Sequence, residues 1–174
     1  MNSTNNFKQI LVWVLFVVSQ ILFAQNFVLY NRAFCFIYVG FLLLLPLGIS
    51  RNNILLLGFF TGFIIDIFYN SLGTHMAAMT FVAFLRPFWL NAITPRGGYE
   101  NVDSPAIKNL SLSWFLAYAM PLLFLHLAVV FFLEAGGFHM FFYVISKVFL
   151  STLLTVLVLV IIQYLFYSKG RFSW

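Results

Sequence analysis

The chain has 174 residues, of which 63% are hydrophobic, 21% aromatic and 7% charged, with a mean hydropathy of +1.02. Soluble domains need about 25% charged residues to face water, so nine Lys/Arg and four Asp/Glu exclude a water-soluble globule and point to a lipid bilayer. The net charge of +5 comes from basic residues scattered singly, without the cluster or basic helix face that would make nucleic acid a partner.

A membrane crossing takes about 20 residues, so the whole length is spent on six or seven crossings, a single transmembrane domain over 1–174. The first apolar stretch covers 7–29 and closes at Tyr30-Asn31-Arg32. Lys8 ahead of Ile10 to Ala24 has the outline of a signal peptide. Leu22, however, stands where cleavage after Ala24 needs a small residue, so the segment is expected to stay as the first helix. The second stretch covers 33–49, with Pro46 near its end. It holds the only cysteine, Cys35, which lacks a partner for an internal disulfide and is expected to pack. The third covers 54–69, between Ser50-Arg51-Asn52-Asn53 and Asn70-Ser71-Leu72-Gly73, and the fourth covers 74–93. A polar loop over 94–109 follows, shaped by Pro95, Gly97, Gly98 and Pro105. The fifth stretch covers 110–133, Glu134-Ala135-Gly136-Gly137 makes a turn, and the sixth covers 140–167.

Lipid offers no partner to backbone N–H and C=O groups, so each stretch is expected to be a helix with its bonds closed internally. The period-2 alternation of a membrane β-barrel is absent. The fold class is therefore an all-α integral membrane bundle of about six transmembrane helices.

Orientation follows from the excess of Lys and Arg in cytoplasmic loops. With the N-terminus inside, the inner side holds Lys8, Arg51, Arg96, Lys108, Lys169 and Arg171, and the outer side only Arg32. Both termini and the 94–109 loop are then cytoplasmic. Trp13, Trp89, Trp114 and Trp174 fall near inner helix ends, as an interfacial aromatic belt does.

Three charged residues fall within the expected spans, where each costs about 2.5 kcal/mol or more at the centre of a helix. Asp66 follows Gly58 and Gly62 at four-residue spacing, so the three share one face along which a second backbone can approach closely. That face is either a packing stripe with a hydrogen-bonded acid at its rim or a proton or ligand site. Lys147, Ser151 and Thr155 form a similar polar stripe on the sixth helix. Asp66 and Lys147 lie at matching outward depths, and a pair between them would offset much of the desolvation of each. Arg86, followed by Pro87, either snorkels to the inner headgroups or meets carbonyls, phosphates or a partner protein.

His75, His126 and His139 lack the spacing of a metal site, and His126 is expected to bond carbonyls that Pro121 leaves open. No nucleophile–base set, phosphate loop or paired carboxylate is visible. The expectation is a protein with no enzymatic activity, metal or cofactor.

The segment from Leu57 to Pro87 carries a more specific signal. It reads Gly58-Phe59, Gly62, Asp66, then Asn70-Ser71-Leu72-Gly73, Ala77, and Ala83-Phe84-Leu85-Arg86-Pro87. That order, over about a fifth of the chain, resembles the rod shape-determining protein MreD family. There a Gly-x-x-x-Gly-x-x-x-Asp helix leads through a Leu-Gly turn into a Phe-Leu-Arg-Pro-like sequence. Ser71 stands where many members carry proline, while Gly73 can still make the turn. The resemblance implies Gly58, Gly62, Asp66, Gly73, Arg86 and Pro87 as the family motif and the bacterial cytoplasmic (inner) membrane as the location. It implies a non-catalytic scaffold of the cell-elongation machinery for peptidoglycan synthesis, beside MreC, the MreB filament, RodA and its transpeptidase partner. It also implies a fold similar to the substrate-binding subunits of energy-coupling-factor transporters. The alternative is a small-molecule-binding membrane subunit or transporter component.

Partners can be met through helix faces, short outer turns or the cytoplasmic loop, where Arg96, Glu100, Asp103 and Lys108 are the contact candidates. A partner helix can also dock on small residues such as Ser113, Ala117 and Pro121, or on the Gly58/Gly62 stripe if the bundle has not already used it.

Overall fold

The computed structural model describes residues 3–29, 32–71, 73–100 and 102–167. Lys169, Arg171 and Trp174, expected on the inner side, lie outside these residues, as do Tyr30, Asn31 and Leu72 of the expected turns. The chain is mostly helical. Helix α1 (Ser3–Leu22) leads through a single 3-10 turn, Ala24–Asn26, into a small antiparallel hairpin of β1 (Val28–Leu29) and β2 (Ala33–Phe34). Val28 lies opposite Phe34 and Leu29 opposite Ala33. A six-residue helix α2 (Val39–Leu44) precedes the hairpin of α3 (Arg51–Tyr69) and α4 (Thr74–Ala92). A single turn, α5 (Ile107–Leu110), introduces α6 (Leu112–Glu134) and α7 (Phe141–Tyr167).

Among the described residues, three helices are long and apolar enough to cross a membrane: Arg51–Tyr69, Leu112–Glu134 and Phe141–Phe166. Their outward faces carry large apolar side chains that a water-soluble protein would bury: Phe59, Phe63 and Ile67 on α3, and Leu153, Leu157 and Ile161 on α7. Helices that are apolar on all sides belong in the centre of a large protein or in lipid.

α4 lies between α3 and α6, and α6 packs in turn on α7. Pro87 and Pro121 sit inside α4 and α6 without ending them.

The expected second helix over 33–49 is not formed as one helix. The segment runs from β2, against α7, to Leu47, whose N–H donates to the Asp103 carbonyl in the loop at the opposite end (3.0 Å). It passes through the middle of the bundle, and residues 35–45 are all buried, yet only Val39–Leu44 is helical. Pro46 holds Leu45 extended (φ −55°, ψ 148°) and closes the helix there.

A buried irregular backbone needs partners for its N–H and C=O groups, and here side chains supply them. Ser151 Oγ accepts from Phe34 N–H (2.9 Å) and Thr155 Oγ1 from Phe36 N–H (3.1 Å). Gln20, fully buried on α1, donates to the Cys35 carbonyl (3.1 Å) and accepts from Tyr38 N–H (3.4 Å). The polar stripe on α7 thus serves the centre of the fold. Replacing Ser151 with alanine and Thr155 with valine leaves the part-buried Phe34 N–H and the buried Phe36 N–H unpaired. Each loss is expected to cost about 1–3 kcal/mol, read as a lower thermal unfolding midpoint and faster exchange of the Phe34 and Phe36 amides. An unchanged midpoint and unchanged exchange would remove this role from the stripe.

Candidate functional site

The polar groups gather around that central segment, and the α3–α4 hairpin sets one wall. Gly58 and Gly62 face α4. A Cβ at Gly58 would lie 2.9 Å from the Ala83 Cβ, and one at Gly62 would lie 2.6 Å from the His75 carbonyl oxygen and 2.7 Å from the Met76 nitrogen. The glycines therefore let the backbones of α3 and α4 touch. At the turn, Asn70 (φ 53°) and Gly73 (φ 85°) both take the left-handed conformation, which reverses the chain within four residues.

Gly73 occupies the cap of α4 and has no side chain to accept the first free N–H groups. Asp66 supplies the acceptor from across the hairpin. Its Oδ1 accepts from His75 N–H (3.0 Å) and its Oδ2 from Met76 N–H (2.8 Å). Ser71 Oγ also donates to Oδ1 (2.5 Å), a bond that proline at this position would lack. A carboxylate here satisfies orphan donors and complements the positive end of the helix dipole.

The expected pair of Asp66 with Lys147 is not formed. The Lys147 ammonium lies over the rings of Phe34 and Phe131, 4.7 and 4.4 Å from their centroids. Matching depth was insufficient to pair them, because Asp66 turns toward the amides of α4 and Lys147 toward the aromatic side of α6. Asp66→Asn would set an amide N–H against one backbone N–H. It is expected to cost about 1–2 kcal/mol, the range of a lost cap, with faster exchange at the His75 and Met76 amides. The effects of Asp66→Asn and Lys147→Met on the unfolding midpoint are expected to add; a coupling between them would contradict the separate partners.

Arg86 does not snorkel: it is 1% exposed. Its Nε–H donates to the Tyr118 hydroxyl (2.7 Å) and its Nη2 to the Leu45 carbonyl. Tyr118 in turn donates to the Leu43 carbonyl (2.9 Å). Arg86 and Tyr118 together close the open carbonyls at the C-terminal end of α2, where a cation also suits the helix dipole.

His75 and His126, which lack the spacing of a metal site in the sequence, are brought together. Tyr38 Oη lies 2.9 Å from His75 Nδ1 and 2.8 Å from His126 Nε2, and all three residues are buried. The open ring atom of His126 is thus used by Tyr38 rather than by carbonyls near Pro121. No spacing along the chain signals this cluster, because its three members sit on α4, on α6 and just ahead of α2. Among the described residues, no group of three His, Cys, Asp or Glu side chains converges as metal ligands do.

At the other end, Arg96, Glu100, Asp103 and Lys108 are all exposed. The loop that carries them is seated, however: Ser104, Pro105 and Ala106 are buried, and Ile107 N–H donates to Gln163 Oε1 on α7 (2.9 Å). Trp89 and Trp114 donate to the carbonyls of Ala117 (3.3 Å) and Ile93 (3.1 Å), and Trp13 to Thr61 Oγ1 (2.8 Å). On α6, Ser113 and Ala117 remain exposed, whereas the Gly58/Gly62 stripe is consumed by α4.

No protein-family model, curated protein or solved structure matches the chain.

Proposed function

We propose that this chain is a non-catalytic, multi-pass scaffold of the bacterial cell-elongation machinery, of the MreD type. It would join MreC and the MreB filament to RodA and its transpeptidase partner. In this reading the 33–49 segment is the second of six crossings, both termini face the cytoplasm and the surrounding bilayer is the inner membrane. The observation that carries it is the use made of the motif. Gly58, Gly62, Asp66, Gly73 and Arg86 are spent on internal contacts of the bundle, and such a motif builds a rigid shape for others to grip. What remains for partners is the apolar outer face, the exposed Ser113 and Ala117 of α6, and the seated loop with Arg96, Glu100, Asp103 and Lys108.

The test is depletion in the native rod-shaped cell together with affinity purification in mild detergent. Rounded cells and recovery of an MreC-like protein or a synthase are expected. Normal rods with neither partner recovered would overturn the proposal. Co-purification of a transport ATPase with loss of uptake of a small nutrient would favour a small-molecule-binding subunit instead.

A further inference from the structure

Where α6 turns into α7, two cations lie side by side on aromatic rings. Tyr143 and Lys147 stand four residues apart on α7 and so share a face, with about 5–6 Å between their Cβ atoms. Strand β2 packs on α7, its register fixed by the bond from Phe34 N–H to Ser151 Oγ (2.9 Å). The Phe34 ring centroid lies 4.7 Å from Lys147 Nζ, and Phe131 of α6 completes the seat at 4.4 Å. Two residues before Phe34, the Arg32 guanidinium lies 6.0 Å from the Tyr143 ring. Its backbone N–H is tied to the Leu29 carbonyl (3.1 Å). Arg32 is exposed and Lys147 half-buried.

A ring face attracts a cation through its quadrupole but offers no lone pair, so the N–H donors of both side chains are left for an oxygen ligand. The chain has four acids. Asp66 is held by the amides of α4, and Glu100 and Asp103 belong to the loop at the other end. Glu134, exposed at the close of α6, is the acid placed here. One carboxylate against two cations leaves this end of the molecule positive. The surface beside them is apolar: Phe138, Met140 and Phe142 are 73, 55 and 86% exposed. A soluble anion would match the charge alone. An anionic phospholipid matches both features, its phosphate the cations and its acyl chains the rings.

We propose that Arg32 and Lys147 hold the headgroup phosphate of an anionic phospholipid between β2 and the first two turns of α7. The planar fork of Arg32 suits two phosphate oxygens, and the Lys147 ammonium meets a third as a point charge. The site rests on the bilayer reading proposed above and on none of the protein partners named there.

The test is native mass spectrometry of the full chain, released from detergent micelles containing phosphatidylglycerol or phosphatidylcholine. Retention of phosphatidylglycerol over phosphatidylcholine is expected. Arg32→Gln and Lys147→Gln should each weaken that retention about fivefold, and the double variant about twenty-five-fold, the worth of one and two cations at an anionic lipid surface. Lys147→Arg keeps the charge and should keep the lipid. Circular dichroism reports folding, and Arg32→Gln, in an exposed turn, carries the test if Lys147→Gln does not fold. Equal retention of the two lipids would overturn the site, as would undiminished phosphatidylglycerol binding in folded Arg32→Gln. Displacement of the lipid by millimolar inorganic phosphate would also overturn it, in favour of a site for soluble anions. Each readout uses the purified chain without partners, so its failure leaves the elongation proposal to be judged by its own test.

Discussion

Gly62→Ala is expected to destabilise the protein by about 3 kcal/mol, the upper part of the range for a methyl forced into a filled core. Alanine gains about 1 kcal/mol over glycine in helix propensity, so an isolated α3 would welcome the change. The added Cβ, however, would stand 2.6 Å from the His75 carbonyl oxygen and 2.7 Å from the Met76 nitrogen. These are backbone atoms of α4 and have no rotamer by which to withdraw. The hairpin has to splay, and that pulls Met76 and His75 off the Asp66 carboxylate. Gly58→Ala meets the Ala83 Cβ at 2.9 Å and the Met79 carbonyl oxygen at 3.1 Å and is expected to be milder. Thermal unfolding in nanodiscs and steady-state abundance in the membrane are the measurements. Gly62→Ala matching the unaltered protein in both would show that the helices do not pack as closely as described.

Arg86→Lys is expected to lose about 1.5–3 kcal/mol, the worth of one hydrogen bond to a charged group. Removing the side chain altogether, as Arg86→Ala, forfeits two such bonds and costs roughly twice as much. The guanidinium presents a planar fork to two fixed oxygens, Tyr118 Oη and the Leu45 carbonyl, and the shorter, compact ammonium of lysine does not reproduce that fork. Tyr118→Phe removes one of the same bonds and the bond to Leu43, so the two substitutions should be strongly non-additive. Full stability of Arg86→Lys would mean that α2 needs no capping at its C-terminal end.

Composition alone made the apolar character legible, and the long helices α3, α4, α6 and α7 follow the expected stretches closely because apolar runs bounded by Gly, Asn and Ser leave few alternatives. The glycine face of α3 was also legible, since residues four apart share a face whatever the tertiary fold. The irregular centre was not. A buried helix and a buried irregular strand are both written in apolar residues, and the 33–49 segment differs from a span only by Pro46. Its true signal was distributed: Gln20, Arg86, Tyr118, Ser151 and Thr155 are polar groups on five separate turns of helix that converge on one backbone. Asp66 and Lys147 stand out in the sequence as charges within apolar stretches. Their partners were misassigned because depth along a helix says nothing about the direction in which a side chain leaves it. Glu134, read only as part of a turn, is the acid nearer in sequence to Lys147.

The order of synthesis gives the central segment a further significance. Phe34 and Phe36 emerge from the ribosome more than a hundred residues before Ser151 and Thr155, which satisfy their N–H groups (sequence separations of 117 and 119). Until α7 is made, these two donors at the centre of the fold lack the acceptors they have in the finished protein. The centre is therefore expected to close only when the last helix arrives. Truncation within α7 should then be felt first at Phe34 and Phe36, at the opposite end of the sequence from the cut.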